Sequence, residues 1–181
     1  MPGITGLGRI VTGQEADVRR EGARAVADGW TFRTPERADL VVVGVGRPGL
    51  ATSLEVLAEA LLTAMNLVRH GGKIVALSRA TGPVGPSLKR LAHAGEPRRG
   101  LVALKGREAD FDYLVALSFA QVGTWADIYL FSDLAADVVE DWSMIPLGKP
   151  EEARRLITTA PSVIVVSHAD RTRAVVNVYE G

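Results

Sequence analysis

The chain has no cysteine and little histidine or lysine. Without cysteine, the protein has no disulfide bonds, no cysteine nucleophile, no thiolate zinc site and no iron–sulfur cluster. No two histidines share a helical spacing, so we expect no metal site in this chain. General-base chemistry near neutral pH has few candidates, which are His70, His93, His168, Lys73, Lys89, Lys105 and Lys149.

The formal net charge of the chain is zero, because 21 Lys and Arg residues balance 21 Asp and Glu residues. That balance argues against a general electrostatic grip on nucleic acid or on an anionic membrane, so we expect neither partner. No apolar stretch reaches the roughly 18 residues needed to span a bilayer, and the opening residues do not resemble a secretion signal. We therefore expect a cytoplasmic protein.

What the chain does have is the composition of a domain that buries a core: 181 residues, 47% of them hydrophobic and 23% charged. Short β-branched runs recur along it, and their lack of polar alternation is typical of strands buried on both faces of a parallel sheet. The predicted strands are 38–45, 73–78, 127–132 and 162–167, with a fifth at an edge at 174–179. Residues 101–104 fit a strand or a loop, and 145–148 fit a turn.

Helical patterns separate these runs. Residues 53–69 place leucines at spacings of three and four, and we expect Thr52 and Glu55 to form a capping box and Gly71-Gly72 to end the helix beside His70. His93 is expected in a polar loop region. The other predicted helices are 15–29, 87–94, 110–122, 135–142 and one that begins at Pro150.

This alternation predicts an α/β fold, a Rossmann-like and mostly parallel sheet with helices on both faces, in a single domain. We expect residues 36–181 to form that domain, after a helical lead-in at 1–35. Ligands of such sheets bind beyond the carboxyl ends of the strands. The loops where a site is expected are therefore 44–52, 78–87, 132–135 and 167–173.

The first of these loops matches G-x-G-x-x-G through Gly44, Gly46 and Gly49, directly after a strand and before a helix. Such a turn lets backbone amides and a helix N-terminus approach a diphosphate. The acid that normally holds the ribose is missing from residues 66–72, and Pro48 removes an amide. An NADP-binding oxidoreductase domain, with Arg79 on the 2′-phosphate, is one interpretation. A tight turn that binds no nucleotide, or another anion, is the other.

Two further loops carry candidate chemistry. Ser78, Arg79 and Gly82 follow the second strand, where they could line an anion or carboxylate pocket or simply form a solvated loop. His168 and Asp170 follow the fourth strand, where Asp170 could orient the imidazole or both could belong to a surface turn. The chain has no G-x-S-x-G elbow, so a hydrolase triad is not expected.

Two segments together resemble the carboxy-terminal domain of the nickel-pincer lactate racemase family. They are ADLVVVGVGRPG, which precedes a helix, and LVRHGGKIVALSRATGPVG, which follows it. The later segment TWADIYLFSDLAADVVEDWSMIPLGKPEEARRL is similar as well. Gly46 and Pro48 match the family's loop, with Arg47 between them. Where the family has a Tyr-Gln-x-x-Lys helix motif, this chain has Leu54, Glu55 and Ala58.

The resemblance implies a two-domain isomerase with substrate and cofactor in the cleft between the domains. In that family the amino-terminal domain supplies the tethering lysine, the nickel-binding histidine and the two proton-exchanging histidines, none of which this chain matches. We therefore expect no catalytic residue and no cofactor in this chain alone. The nickel-pincer nucleotide and a small 2-hydroxy acid are expected with an amino-terminal catalytic domain or subunit as partner. The expected binding residues are Gly46, Arg47, Pro48, Glu55, Ser78, Arg79 and Gly82. A non-enzymatic interaction module remains an alternative.

Overall fold

The structure, a computed structural model, describes residues 10–46 and 51–177 and alternates strands with helices. In chain order the elements are α1 (Glu15–Trp30), β1 (Thr31–Thr34), β2 (Ala38–Gly44), α2 (Leu54–Leu67), β3 (Val68–Leu77), α3 (Pro86–Ala94), α4 (Pro97–Ala103), α5 (Tyr113–Trp125), β4 (Asp127–Phe131), α6 (Ala136–Asp141), β5 (Ile145–Pro146), α7 (Pro150–Thr159), β6 (Val163–Val166) and β7 (Arg173–Val176).

Five of the strands form one parallel sheet, in the order β5-β4-β3-β2-β6. Residues along each strand alternate between two apolar layers, because successive side chains point to opposite faces of the sheet. Val41 and Val43 of β2 belong to the larger core with α2 and α5, whereas Leu40 and Val42 belong to a smaller core with α7. The predicted α/β class and Rossmann-like parallel sheet are thus confirmed.

The direction of the chain across the sheet reverses beside β2. From β2 the chain proceeds through β3 and β4 to β5 on one side, and then returns to place β6 on the other side of β2. The gap between the carboxyl ends of β2 and β6 is therefore a topological switch point, the place where ligands of such sheets bind.

A separate two-stranded sheet joins β1 to β7. The last strand was predicted at an edge of the main sheet, but β7 pairs with β1 instead, and β1 was not predicted. Phe32 of β1 and Ala174 and Val176 of β7 pack against the larger core, which explains why this small sheet forms here. Helix α1 and β1 lie within the segment predicted as a helical lead-in, and the boundary near residue 36 stays a prediction.

The end of α2 differs from the sequence expectation. The helix stops at Leu67, and the chain continues directly into β3, so His70 lies on a strand rather than at a helix C-terminus. Ala38 pairs with Val68, whereas Leu40 pairs with Lys73, which leaves extra residues in β3 as a bulge. Burial of Val68 against the core outweighs the local preference for a helix.

Two shorter segments were also assigned wrongly. Residues 101–104, expected as a strand or loop, largely belong to α4, whose Gly100 packs closely against Leu91 of α3. Ile145 and Pro146, expected in a turn, pair with β4 as β5. The helix predicted at 87–94 is confirmed as α3, and His93 lies in its last turn. In both wrongly assigned segments a tertiary contact decides between conformations that the local sequence permits.

Candidate functional site at the carboxyl edge of the sheet

The loops that follow β2, β3, β4 and β6 meet at one edge of the sheet because these strands are parallel. The loop before α2 is tied to the loop after β3. Thr52 and Ala80 form an isolated parallel bridge, in which the Thr81 amide donates to the Thr52 carbonyl at 2.9 Å. We call this region, comprising 44–46, 51–53, 78–85, 132–135 and 167–172, the carboxyl edge.

At the switch point, Asp170 reaches into the turn after β2. Its Oδ1 accepts a hydrogen bond of 3.2 Å from the Gly46 amide, and its Oδ2 lies 3.3 Å from Nε of Arg171. The Asp170 side chain is only 6% exposed. In a dinucleotide-binding fingerprint, this amide points at the diphosphate of the cofactor. Here it already donates its hydrogen bond to the Asp170 carboxylate.

His168 and Asp170 lie in a turn after β6, as one interpretation predicted, but they do not form a surface pair. Asp170 points inward, and the imidazole Nδ1 of His168 is buried with no hydrogen-bond partner among the described residues. Asp170 therefore does not orient this imidazole. His168 also has a positive φ of 55°, which is uncommon for a residue other than glycine.

Arg79 extends from the end of β3 across to the loop after β4. Its Nε donates a hydrogen bond of 2.9 Å to Oδ2 of Asp133. The two side chains are 68% and 52% exposed, so the pair contributes little to stability. Within the described residues, neither Nη1 nor Nη2 of Arg79 has a partner. Asp133 thus orients a guanidinium group whose terminal nitrogens are available to an anion.

Ser78 stands at the same edge, buried to 6% exposure. Its amide donates to the Phe131 carbonyl at 2.9 Å, whereas its Oγ has no partner among the described residues. A buried hydroxyl without a hydrogen bond costs free energy and needs an explanation. Gly82, farther along this loop, is exposed, and Leu54 is its nearest neighbour.

Glu55 lies in the first turn of α2. The Ser53 hydroxyl interacts with the carboxylate and is the main cause that lowers the pKa of Glu55, aided by a backbone hydrogen bond and opposed by burial. Ser53, rather than Thr52, is the N-cap residue, so the predicted capping box is wrong by one residue. Thr52 is instead buried in the bridge to Ala80. Glu55 therefore stabilises the helix start.

Arg47, Pro48 and Gly49 lie outside the described residues, so their predicted binding roles stay predictions. Of the remaining candidates, the structure brings Gly46, Ser78, Arg79 and Gly82 to the carboxyl edge. Sequence reasoning missed Asp133 as the partner of Arg79 and Asp170 as the partner of Gly46. Only the position of each aspartate just after a strand could have indicated these contacts, because both partners are distant in the sequence.

The described part of the chain contains no group of three or more His, Asp or Glu side chains that could hold a metal ion. It also contains no helix long and apolar enough to cross a membrane. The histidines are scattered: His70 packs edge-on against Trp125 near the amino end of the sheet, His93 is on α3, and His168 is at the carboxyl edge.

A second polar cluster lies at the opposite, amino end of the sheet. Asp39 binds the Ser162 hydroxyl at 2.6 Å and Nη1 of Arg69 at 3.2 Å. The Ser162 hydrogen bond, more than the Arg69 charge, lowers the pKa of Asp39, while burial opposes the shift. Asp39 and Arg69 line a cavity of about 270 Å³. Because the cluster is internally satisfied, it serves to join β2, β3 and the start of β6.

No protein-family model matches this chain, and no curated protein matches it. Among solved structures, the chain is similar to the lactate racemase apoprotein from Thermoanaerobacterium thermosaccharolyticum, with a TM-score of 0.75 and 15% identity. That match covers 90% of this chain and 41% of the other. A structural-genomics protein from Thermotoga maritima is similar with a TM-score of 0.54 and 11% identity, over 87% of this chain and 41% of its own. The relation to lactate racemase is therefore one of fold, and this chain spans less than half the length of either protein.

Proposed function

We propose that this chain supplies the second, covering half of the substrate site of a lactate-racemase-like isomerase. A separate catalytic domain or subunit would supply the other half, and a small 2-hydroxy acid is the implied substrate class. The observation that carries the proposal is the extent of the fold match, which takes in 90% of this chain but only 41% of the lactate racemase apoprotein.

Arg79 is the residue we assign to substrate binding. A guanidinium group binds a carboxylate best through two parallel hydrogen bonds, and the free Nη1 and Nη2 atoms provide donors for this contact. Because Asp133 holds Nε, it fixes the orientation of the group without occupying the terminal nitrogens. Arg79 would thus hold the substrate carboxylate at the carboxyl edge while the reacting carbon faces the partner.

We assign proton exchange to the partner, because no two imidazoles of the described residues face one reacting carbon. In a two-base exchange each base must lie within hydrogen-bond reach of the proton that it moves. His70 lies toward the amino end of the sheet, His168 lies at the carboxyl end, and His93 is on α3. These three imidazoles do not share a site.

The nickel-pincer nucleotide does not fit the side chains described here. The described residues contain no group of three or more His, Asp or Glu side chains that could hold a metal ion, and a tethering lysine is missing from the carboxyl edge. All four lysines are exposed and lie elsewhere in the fold, at Lys73, Lys89, Lys105 and Lys149. We therefore assign any such cofactor to the partner and derive no step through it here.

The geometry opposes the NADP-binding alternative. Asp170 places a carboxylate on the Gly46 amide, where it would repel a diphosphate. The alternative of a non-enzymatic interaction module predicts no affinity for small hydroxy acids, and so binding experiments separate it from the proposal.

The test is a titration of the isotope-labelled chain with D- and L-lactate, followed by ¹H–¹⁵N NMR. We expect saturable shifts at residues 78–82 and 132–134, and binding weakened about tenfold by Arg79→Ala, the loss of a charge-assisted contact. Arg107→Ala, which removes an exposed arginine after α4, is the matched control and should bind as the unaltered chain does. A chiral assay of the chain alone should show no racemisation.

Three results would overturn the proposal. Lactate affinity that is unchanged by Arg79→Ala, or the absence of saturable binding, would show that the carboxyl edge does not bind the substrate. Stoichiometric nickel with turnover by the chain alone would show that no catalytic partner is needed. A saturable shift with NADPH at 44–46 would favour the oxidoreductase alternative.

A further inference from the structure

His168 combines two unfavourable features in one residue. Its backbone is in the left-handed region at a φ of 55°, and its Nδ1 is buried with no partner among the described residues. Histidine, like asparagine and aspartate, is enriched in this region, so the conformation alone costs little, and glycine would remove that cost together with the unpaired nitrogen. A buried polar atom without a partner points to a role other than stability.

The backbone of the turn holds His168 in this conformation. The Arg171 amide donates to the His168 carbonyl at 3.0 Å, and the Thr172 hydroxyl donates to the same carbonyl at 3.1 Å. The Ala169 amide donates to the Gly44 carbonyl at 3.1 Å, which fixes the turn against β2. The imidazole is therefore presented by a rigid loop rather than by a mobile one.

A cavity of about 220 Å³ lies against this imidazole. It is bounded on one side by Trp30 and Phe32, at the junction of α1 and β1, and on the other by Val165, Val166 and His168. The Trp30 and His168 rings meet nearly edge to face, with centroids 6.3 Å apart. The volume of this cavity is comparable to that of a cavity of about 150 Å³ that binds benzene, so a single ring with one substituent fits it. Unlike that enclosed cavity, it is open to solvent beside Val165, which is 66% exposed.

The two ring nitrogens of His168 have different surroundings. Nδ1 is buried and has no hydrogen-bond partner among the described residues. Nε2 has no partner among them either, but it is not buried. A buried N–H without an acceptor is rarer than a buried acceptor without a donor. A ring whose Nδ1 is an unpaired acceptor carries its proton on Nε2, where it can donate a hydrogen bond to a ligand oxygen.

We propose that this cavity is a binding site for a small aromatic ligand that carries a carbonyl or carboxylate oxygen. The ring would lie against Trp30 and Phe32, and the oxygen would accept a hydrogen bond from Nε2 of His168. The site is on the β6 side of the sheet and uses none of the side chains assigned above to the hydroxy acid. It is independent of the proposed function.

The test uses benzamide and benzoate as probes, with ¹H–¹⁵N NMR of the tryptophan indoles and ¹H–¹³C NMR of the histidine rings. A Trp30→Phe variant assigns the Trp30 indole signal. We expect saturable shifts of the Trp30 indole and of the His168 ring with at least one probe. His168→Gly should weaken binding about tenfold, the loss of one hydrogen bond, with an unchanged or higher Tm.

Ser143→Gly is the matched control, because Ser143 is the other described residue besides glycine with a positive φ, at 58°. It should relieve backbone strain far from the cavity and leave probe binding unchanged. His168→Asn, which tolerates the same backbone conformation, provides a second variant if the glycine variant folds poorly. Absence of saturable shifts with both probes, or equal affinity in the folded His168 variant, would overturn the proposal.

Discussion

At the scale of single residues, long-range polar contacts define the carboxyl edge. Asp170 binds the Gly46 amide across 124 positions of sequence, and Asp133 binds Arg79 across 54. A local pattern cannot predict such pairs, because each aspartate alone is also a normal turn residue. The positions of Gly46, Ser78 and Arg79 after strands could be predicted, since strands and loops are marked locally by β-branched runs and glycine.

Gly46 gives a prediction at this scale. Its φ of 82° suits glycine, and an added Cβ would collide with the Thr52 side chain. We expect Gly46→Ala to lower the free energy of unfolding by about 3 kcal/mol, from backbone strain plus the collision. Urea denaturation measures the change.

Gly106 is the matched control, because its φ is 75° and an added Cβ would meet nothing within 4 Å. Gly106→Ala should therefore lose only the strain, about 1 kcal/mol. Equal losses in the two variants would show that the contact with Thr52 does not matter to the turn.

At the scale of elements, a buried carboxylate caps a helix from a distant part of the chain. Asp112, only 2% exposed, accepts hydrogen bonds from the amides of Ser87 and Leu88 at the start of α3, at 3.1 and 2.9 Å. An added Cβ on Gly85 would collide with this carboxylate, so the turn before α3 is built around it. The contact joins α3 to the start of α5.

We expect Asp112→Ala to lower the free energy of unfolding by about 2–4 kcal/mol, since it leaves two helix amides without an acceptor. Thermal unfolding followed by circular dichroism measures the loss. Asp28→Ala, at an exposed position of α1, is the control and should have little effect. A Tm that is unaltered in the Asp112 variant would contradict this role.

The elements that the sequence predicted well are those with a strong local signal. The run at 38–45 matches β2, and the apolar stripe at 53–69 matches α2 apart from its end. Short or pairing-dependent elements were not predicted, because β5 has two residues and β1 forms only with β7. The order of the strands likewise depends on contacts between segments that are distant in the sequence.

At the scale of the whole molecule, the two-stranded sheet joins the beginning of the described chain to its end. Thr31 to Thr34 pair in parallel with Arg173 to Val176. Phe32 packs with the larger core, and β7 lies against α2. The α1–β1 segment therefore contributes to the stability of the domain as well as to a wall of the cavity at His168.

Removing residues 1–34 tests this contribution. We expect the shortened chain to be less stable by about 3 kcal/mol, from lost burial of Phe32 and an unpaired β7, as measured by urea denaturation. The full chain carrying Phe32→Ala is the control for the side chain alone. A shortened chain of undiminished stability would instead support a separable lead-in that ends near residue 35.

Because β1 pairs with β7, the fold can be completed only late in the synthesis of the chain. A ribosome must add roughly 140 further residues after β1 before β7 emerges to pair with it. A similar delay applies to β6, which follows the other strands of the main sheet. Contacts of such high sequence separation form slowly. The switch point and the cavity beside His168 therefore form last. A chain whose synthesis stops before β6 has neither of them.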